Sequence, residues 1–215
     1  MRPEQRALVL SIVIAVLTAP AAAPAASQEV RASALRGSTD HDLLDSPDGF
    51  GVEAGWNLGA RLAVRAGYAR YHDEFVGFGT TCAGLLPPGV DCTPEFRDQT
   101  ARVEGVVVAL AATIFATESI RLNIVPDARV MDVATEQRGQ ETGRERSATK
   151  RMLGAALGGE AIIEPVRAWG LRFHIGAHRG VLTPYVLPTI VDGYTPFEAG
   201  IGLEWLEAGA SLAFE

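Results

Sequence analysis

Residues 118–133, ESIRLNIVPDARVMDV, alternate with a strictness that few folds can use. Ile120, Leu122, Ile124, Pro126, Ala128 and Val130 share one parity, and Arg121, Asn123, Asp127 and Arg129 share the other. As a β-strand the stretch puts every one of those apolar residues on one face and the charges on the opposite face. Alternation alone does not say which face meets water. A soluble barrel with an oily interior and a membrane barrel with a polar interior have the same period.

The period recurs along the chain. Phe50, Val52, Ala54, Trp56 and Leu58 oppose Gly51, Glu53, Gly55 and Asn57, and Leu62, Val64, Ala66 and Tyr68 oppose Arg65, Gly67 and Ala69. Ala101, Val103, Gly105, Val107 and Ala109 oppose Thr100, Arg102 and Glu104. Leu153, Ala155, Leu157, Ala161 and Ile163 oppose Lys150, Gly154, Gly158 and Glu160, and Leu171, Phe173, Ile175 and Ala177 oppose Arg172, Gly176 and the two histidines 174 and 178. A weaker strand at 29–37 and a last one at 196–214 bring the number to eight.

The connections alternate in length: long at 38–48, 77–96, 136–146 and 185–195, short at 58–60, 114–117 and 165–168. An antiparallel up-and-down barrel puts successive connections at opposite rims, so the pattern predicts one rim of tight turns and one of long loops. An even strand number returns both termini to the tight-turn rim.

Glycine decides the wet face. Gly51, Gly55, Gly67, Gly154, Gly158 and Gly176 interrupt the polar row, where they suit a narrow lumen better than an open surface. The charges in that row have both signs, so they can neutralise one another inside. The expected lumen network is Glu53, Arg65, Arg102, Glu104, Arg121, Asp127, Arg129, Lys150, Glu160, Arg172 and His174, with the aliphatic row against lipid. Phe50, Trp56, Tyr68, Trp169, Phe173, Phe197 and Trp205 are candidates for interfacial girdles. A soluble, ligand-holding secreted barrel is the alternative, and its interior would be the aliphatic row.

The N-terminus carries Arg2 and Arg6, an apolar run over 7–18 and the small-residue stretch APAAS, the layout of a secretory signal peptide. The expected division is a signal peptide over 1–26 and one β-barrel domain over 27–215. Past that boundary 17 basic residues face 25 acidic ones, which argues against nucleic acid or anionic lipid as a diffuse partner. Cys82 and Cys92, in a Pro- and Gly-rich loop, are expected to pair as a disulfide in an oxidising compartment.

The chain closes on LEAGASLAFE, with Leu206, Ala208, Ala210, Leu212 and Phe214 on one parity. This all-β pattern, with an aromatic near the C-terminus, resembles the small eight-stranded outer-membrane β-barrel proteins. The aromatic is followed by Glu215, and the apolar parity switches between Trp205 and Leu206, so 196–214 is either one strand repaired by a β-bulge or two strands. The resemblance implies an outer-membrane location, lipid as surroundings, and recognition of the last strand by the barrel-assembly machinery. It implies a structural or interaction role with long loops outside; a narrow pore and a lipid-modifying enzyme are the rivals.

No cofactor is expected. His174 and His178 lie four residues apart, about 13 Å along a strand, too far to share a metal ion. No serine lies two residues from either histidine on its own strand, leaving Ser147 and Ser211 only as cross-strand guesses, so the chain is not expected to be an enzyme. Asp40, Asp42, Asp45 and Asp48 lack the spacing of a calcium loop and read as a solvated acidic loop. No residue identifies what the loops bind.

Overall fold

The structure, a computed structural model, describes residues 28–39, 46–79, 95–143, 145–166, 169–184 and 201–214. The signal peptide, the cysteine pair, Phe197 and Asp40 to Asp45 lie outside these residues. Eight antiparallel strands pair in sequence order and close into a barrel: β1 (Gln28–Thr39), β2 (Asp48–Asn57), β3 (Leu62–Gly79), β4 (Glu95–Ala116), β5 (Ile120–Gly139), β6 (Glu145–Val166), β7 (Leu171–Pro184) and β8 (Ile201–Phe214).

The register fixes the barrel's shape. Following partners from Leu212 through Val30, Ala54, Ala66, Val108, Ala128, Ala155 and Val181 returns to β8 at Gly202, a stagger of 10 residues. With about 3.3 Å per residue and about 4.8 Å between strands, this inclines the strands by about 40° to the axis.

Three tight turns close the rim that also carries both ends of the described barrel. Leu58 donates to the Leu62 carbonyl, and Thr117 to that of Ile120. The third turn ends at Gly170, whose φ of 64° suits a residue without a Cβ; a Cβ there would also strike the Ala213 carbonyl oxygen. At the opposite rim the β5–β6 connection is not the long loop expected over 136–146. The strands run on to Gly139 and resume at Glu145, and Gly143 (φ 64°) donates to the Gly139 carbonyl.

The outer wall has a sharp boundary. On β5 the outward row from Ile120 to Val130 is uncharged and ends at Asp132. The same happens on every strand, where the first outward charge above the apolar row is Arg36, Asp48, Arg70, Glu104, Asp132, Arg151, Arg179 or Glu204. These residues pair within hairpins: Arg36 with Asp48 (3.8 Å), Arg70 with Glu104 (3.8 Å), Arg151 with Asp132 (2.8 Å) and Arg179 with Glu204 (3.2 Å). From Ile120 to Val130 is about 33 Å along the strand, hence about 25 Å along the axis at this tilt, the height of the apolar band of a membrane barrel. Phe50 and Tyr68 face outward near the charged belt, and Trp56, Phe173 and the 72% exposed Trp169 lie towards the tight-turn rim.

The interior changes character at the same belt. Below it the inward row carries the buried polar groups Arg31, Ser33, Arg65, Asn123, Glu160, Glu164, Arg172 and His174, with a small apolar patch of Ala109, Ala111 and Val125 among them. At and above it Leu35, Ala101, Val103, Met131, Val133, Met152, Leu182, Ile201, Leu203 and Trp205 form one buried apolar cluster, while His72, Glu74, Thr100, Arg102, Glu136 and Arg138 lie on the outward parity. Within the band the outer face is apolar and the lumen holds the charges; beyond it the outer face takes up charges, beside the exposed Val76 and Phe96, and the interior is an apolar cluster followed towards the far rim by the buried Gln99, Thr135 and Gln137.

This inversion corrects several expectations. β8 is one strand in continuous register with β7 and β1, with no bulge between Trp205 and Leu206. The apolar parity switches there because the strand crosses the belt, so Trp205, 3% exposed, packs inside and is no girdle residue. On β4 the row expected against lipid, Ala101, Val103, Val107 and Ala109, is buried inside on both sides of the belt, leaving Arg102 and Glu104 on the outer face, where Glu104 accepts a hydrogen bond from Tyr68 Oη (2.7 Å). Lys150 has the inward parity but lies ten positions along β6 from Glu160, about 33 Å away, near the other rim.

Candidate functional site: the lumen

The centre of the polar half is built around two side chains. Arg31, 1% exposed, bonds Glu160 and Glu207 (3.0 Å), with a carboxylate oxygen of Glu53 at 3.8 Å and of Glu29 at 4.0 Å. Glu160 also accepts from Arg65 (3.2 and 2.7 Å) and from Asn123 Nδ2 (3.0 Å). Six strands thus meet at a knot that crosses the barrel axis, and each buried charge has an opposite partner.

Nearer the tight turns Arg172 lies 3.0 Å from Glu29 and 3.6 Å from Glu164, and Arg121 bonds Glu164 (3.3 Å). Nearer the belt Arg129 grips Asp127 through two nitrogens (2.6 and 2.9 Å), donates to Tyr71 Oη (3.1 Å) and caps the Trp205 ring at 3.8 Å. His178 stacks on the same indole, with centroids 4.9 Å apart. This layer joins the ionic knot to the apolar cluster above. The void beside it, bounded by Ser33, Glu53, Tyr71, Arg129, Trp205 and Glu207, is about 10 Å³, at most one water.

Glycines make room for these rings. A Cβ on Gly158 would lie against the His178 imidazole, whose other face is on Trp205. Gly158→Ala is expected to destabilise the folded barrel by about 1–3 kcal/mol through overpacking, read as an earlier urea midpoint, and to shift Trp fluorescence.

Of the residues expected in the lumen, Glu53, Arg65, Arg121, Asp127, Arg129, Glu160, Arg172 and His174 are there, and Arg102, Glu104 and Lys150 are outside the network. Glu29, Arg31, Ser33, Asn123, Glu164 and Glu207 complete it, beyond the expected set. For β1 the signal was present: Glu29, Arg31 and Ser33 alternate with Val30, Ala32 and Ala34.

Ser33, His174 and Glu207 come together, the residue types of a hydrolase. The geometry is unlike one. Ser33 Oγ lies 3.0 Å from His174 Nε2 and donates to Glu207 Oε1 (3.0 Å), which itself lies 3.1 Å from Nε2, whereas a triad needs its acid on the far nitrogen. His174 Nδ1 has no partner among the described residues. Nor, among those residues, is any group of His, Cys, Asp or Glu placed to hold a metal ion.

At the tight-turn rim the lumen opens into a cavity of about 290 Å³, walled by Glu29, Asn57, Arg61, Arg65, Arg121 and Asn123 among others. Arg65 and Asn123, both bonded to Glu160, are where it meets the knot.

No protein-family model and no curated protein matches this sequence. Solved structures match its fold. A major outer membrane protein from Thermus thermophilus aligns over 89% of this chain and 100% of its own, with TM-score 0.55 and 13% identity. The outer membrane protease OmpT of Escherichia coli aligns over 87% and 96%, with TM-score 0.51 and 10% identity. Ail, the attachment invasion locus protein of Yersinia pestis, aligns over 88% and 97% at TM-score 0.48 and 16% identity. The first two likenesses establish the fold, that of the outer-membrane β-barrels.

Proposed function

We propose, from the premise that this chain folds as a small eight-stranded outer-membrane β-barrel, that it is a non-conducting envelope protein with a structural or interaction role. One observation supports this most: two unlike layers fill the lumen, an ionic knot at Arg31 and Glu160 and an apolar cluster at Met131, Met152, Ile201 and Leu203. An ion would have to break buried charge pairs and then cross an aliphatic plug.

The interaction role is supported by the part of the barrel beyond the belt. β5 continues seven residues past Asp132, about 23 Å of strand, with β3, β4 and β6 alongside it. Its outward faces carry His72, Glu74, Asp98, Arg102, Glu136 and Arg138, as a water-exposed platform requires, with Val76 and Phe96 exposed among them. In this orientation the tight turns face the periplasm and the platform faces outside. Signal-directed export and insertion through the last strand complete the reading.

Planar-bilayer recordings of the refolded mature chain are the test. No discrete conductance levels are expected from wild type. Glu160→Gln is also expected to stay silent, because the apolar layer remains when the knot is loosened. Stable open levels from wild type would replace this reading with that of a narrow pore.

A further inference from the structure

We propose that the free edge of β3, residues 74–79, is a docking site for an extended segment of a partner protein in which basic and apolar residues alternate, added to the platform as one more strand. The edge belongs to the platform of the interaction role, and the inference rests on that reading.

The register leaves two edges beyond the belt. β2 pairs with β3 only as far as Asp48 and His72, and β7 with β6 only as far as Pro184 and Met152. Among the described residues the ladder then continues over 74–79 on the β4 side alone and over 145–151 on the β5 side alone. At β3 the stop has a local cause. Pro47, next before β2, has no N–H, its carbonyl accepts from the Gly37 N–H across on β1 (2.7 Å), and the Ser46 N–H goes to the Asp73 carboxylate (3.2 Å) instead of the β3 backbone. An edge strand sends the N–H and C=O of alternate residues outward, a template for another chain.

The two edges differ in what guards them. β6 reads ERSATKR over 145–151, with three cations, and such charges deter strand addition. β3 reads EFVGFG over 74–79, with none. Val76 on its outer face is 60% exposed, opposite Asp98 of β4 and near the 55% exposed Phe96. Glu74 is exposed beside His72 (3.0 Å), and the nearest arginine of β4, Arg97, has the inward parity and donates to Gln137 (3.1 Å). A strand paired with β3 continues both of its faces. In the outer row, basic side chains answer Glu74 and Asp98 and lay their aliphatic stems on Val76 and Phe96. The inner row lies beside the half-buried Phe75 and is apolar.

The experiment uses the refolded mature chain in phosphatidylcholine nanodiscs, the fluorescein-labelled, end-capped peptide KVKVKVK as probe, and empty nanodiscs as the blank. Saturable one-to-one binding is expected by fluorescence anisotropy, at least about five-fold weaker for EVEVEVE and for the block isomer KKKKVVV, which has the charge without the alternation. Glu74→Lys is expected to weaken binding of KVKVKVK about five-fold, an attraction exchanged for a repulsion, and Ser147→Lys on the β6 edge to leave it unchanged. Both positions are exposed, and faster migration of the unboiled variants on a gel verifies folding. Amide hydrogen exchange is expected to slow about ten-fold on peptide binding at alternate residues of 74–79, and not at 145–151. Absence of saturable binding, equal affinity for KKKKVVV, protection gained at 145–151 instead, or a Glu74→Lys titration matching wild type would each overturn the inference. Discrete conductance from a barrel that still binds the peptide at this edge would overturn the non-conducting role alone, and a silent barrel that binds no peptide would overturn this inference alone.

Discussion

Glu160→Ala is expected to destabilise the folded barrel by about 3–5 kcal/mol, enough to leave a large share of the chain unfolded in mild denaturant. The carboxylate is 5% exposed and holds together Arg31, Arg65 and Asn123 from three other strands. Its removal leaves two guanidinium groups facing each other in a space that water reaches poorly. That penalty is larger than the net worth of the intact pairs, because an ion pair in a protein interior barely recovers its own desolvation. Glu160→Gln keeps an acceptor for Arg65 and a neighbour for Asn123, so it is expected to fall between wild type and alanine. Urea unfolding in detergent micelles, followed by the loss of fast migration of unboiled samples, measures the series. A midpoint for Glu160→Ala equal to that of wild type would mean that the knot is hydrated and carries little of the stability.

The strands and their order were legible because side-chain direction has period two and the lumen is too narrow to tolerate a phase error. The connection parity fixed the rim of each turn. What misled was the assumption that an apolar row keeps one meaning along a whole strand. A strand of 22 residues, such as β4, is longer than the hydrocarbon is thick, so it passes from lipid into water partway. On the lipid side Val106, Val108 and Leu110 must face out. On the water side Ala101 and Val103 must face in, and Arg102 and Glu104 out, with no change in the backbone. In the sequence this reads as an irregularity: an apolar run over 105–112 on β4, a parity slip at Trp205 and Leu206 on β8. The lumen partners from β1 and β8 were hard to see for another reason. On β1 three polar residues alternate with only Val30, Ala32 and Ala34, a short signal, and on β8 Glu207 is the one charge on an inward row that otherwise reads Trp205, Gly209 and Ser211. The charge belt itself was visible only after hairpin register placed Arg36 beside Asp48 and Arg179 beside Glu204.

If the belt is the edge of the hydrocarbon, two arginines on the outer face of one strand should behave in opposite ways. Ile124 and Ala134 both point outward on β5, ten residues apart, with Asp132 between them. Ile124 is flanked by Ala112 across β4 and by Gly159 across β6, in the middle of the apolar band. Ile124→Arg is expected to cost about 2–4 kcal/mol, since a guanidinium at the bilayer midplane has neither water nor a counter-charge within reach. Ala134 pairs with Arg102 and Thr149, in the water-facing section where the interior is apolar. Ala134→Arg is expected to change stability by no more than about 0.5 kcal/mol, as for an ordinary surface site. The comparison must be made in lipid vesicles, because a micelle adjusts its thickness to the protein and would blunt the contrast. The inward side supplies the converse, because Val133 is fully buried in the apolar cluster next to Ala134. Val133→Arg would bury an unpaired charge where Ala134→Arg does not, so the rule for which face accepts a charge reverses within one strand. Equal costs at Ile124 and Ala134 would remove the belt as a boundary, and with it the reason for the parity switch on β4 and β8.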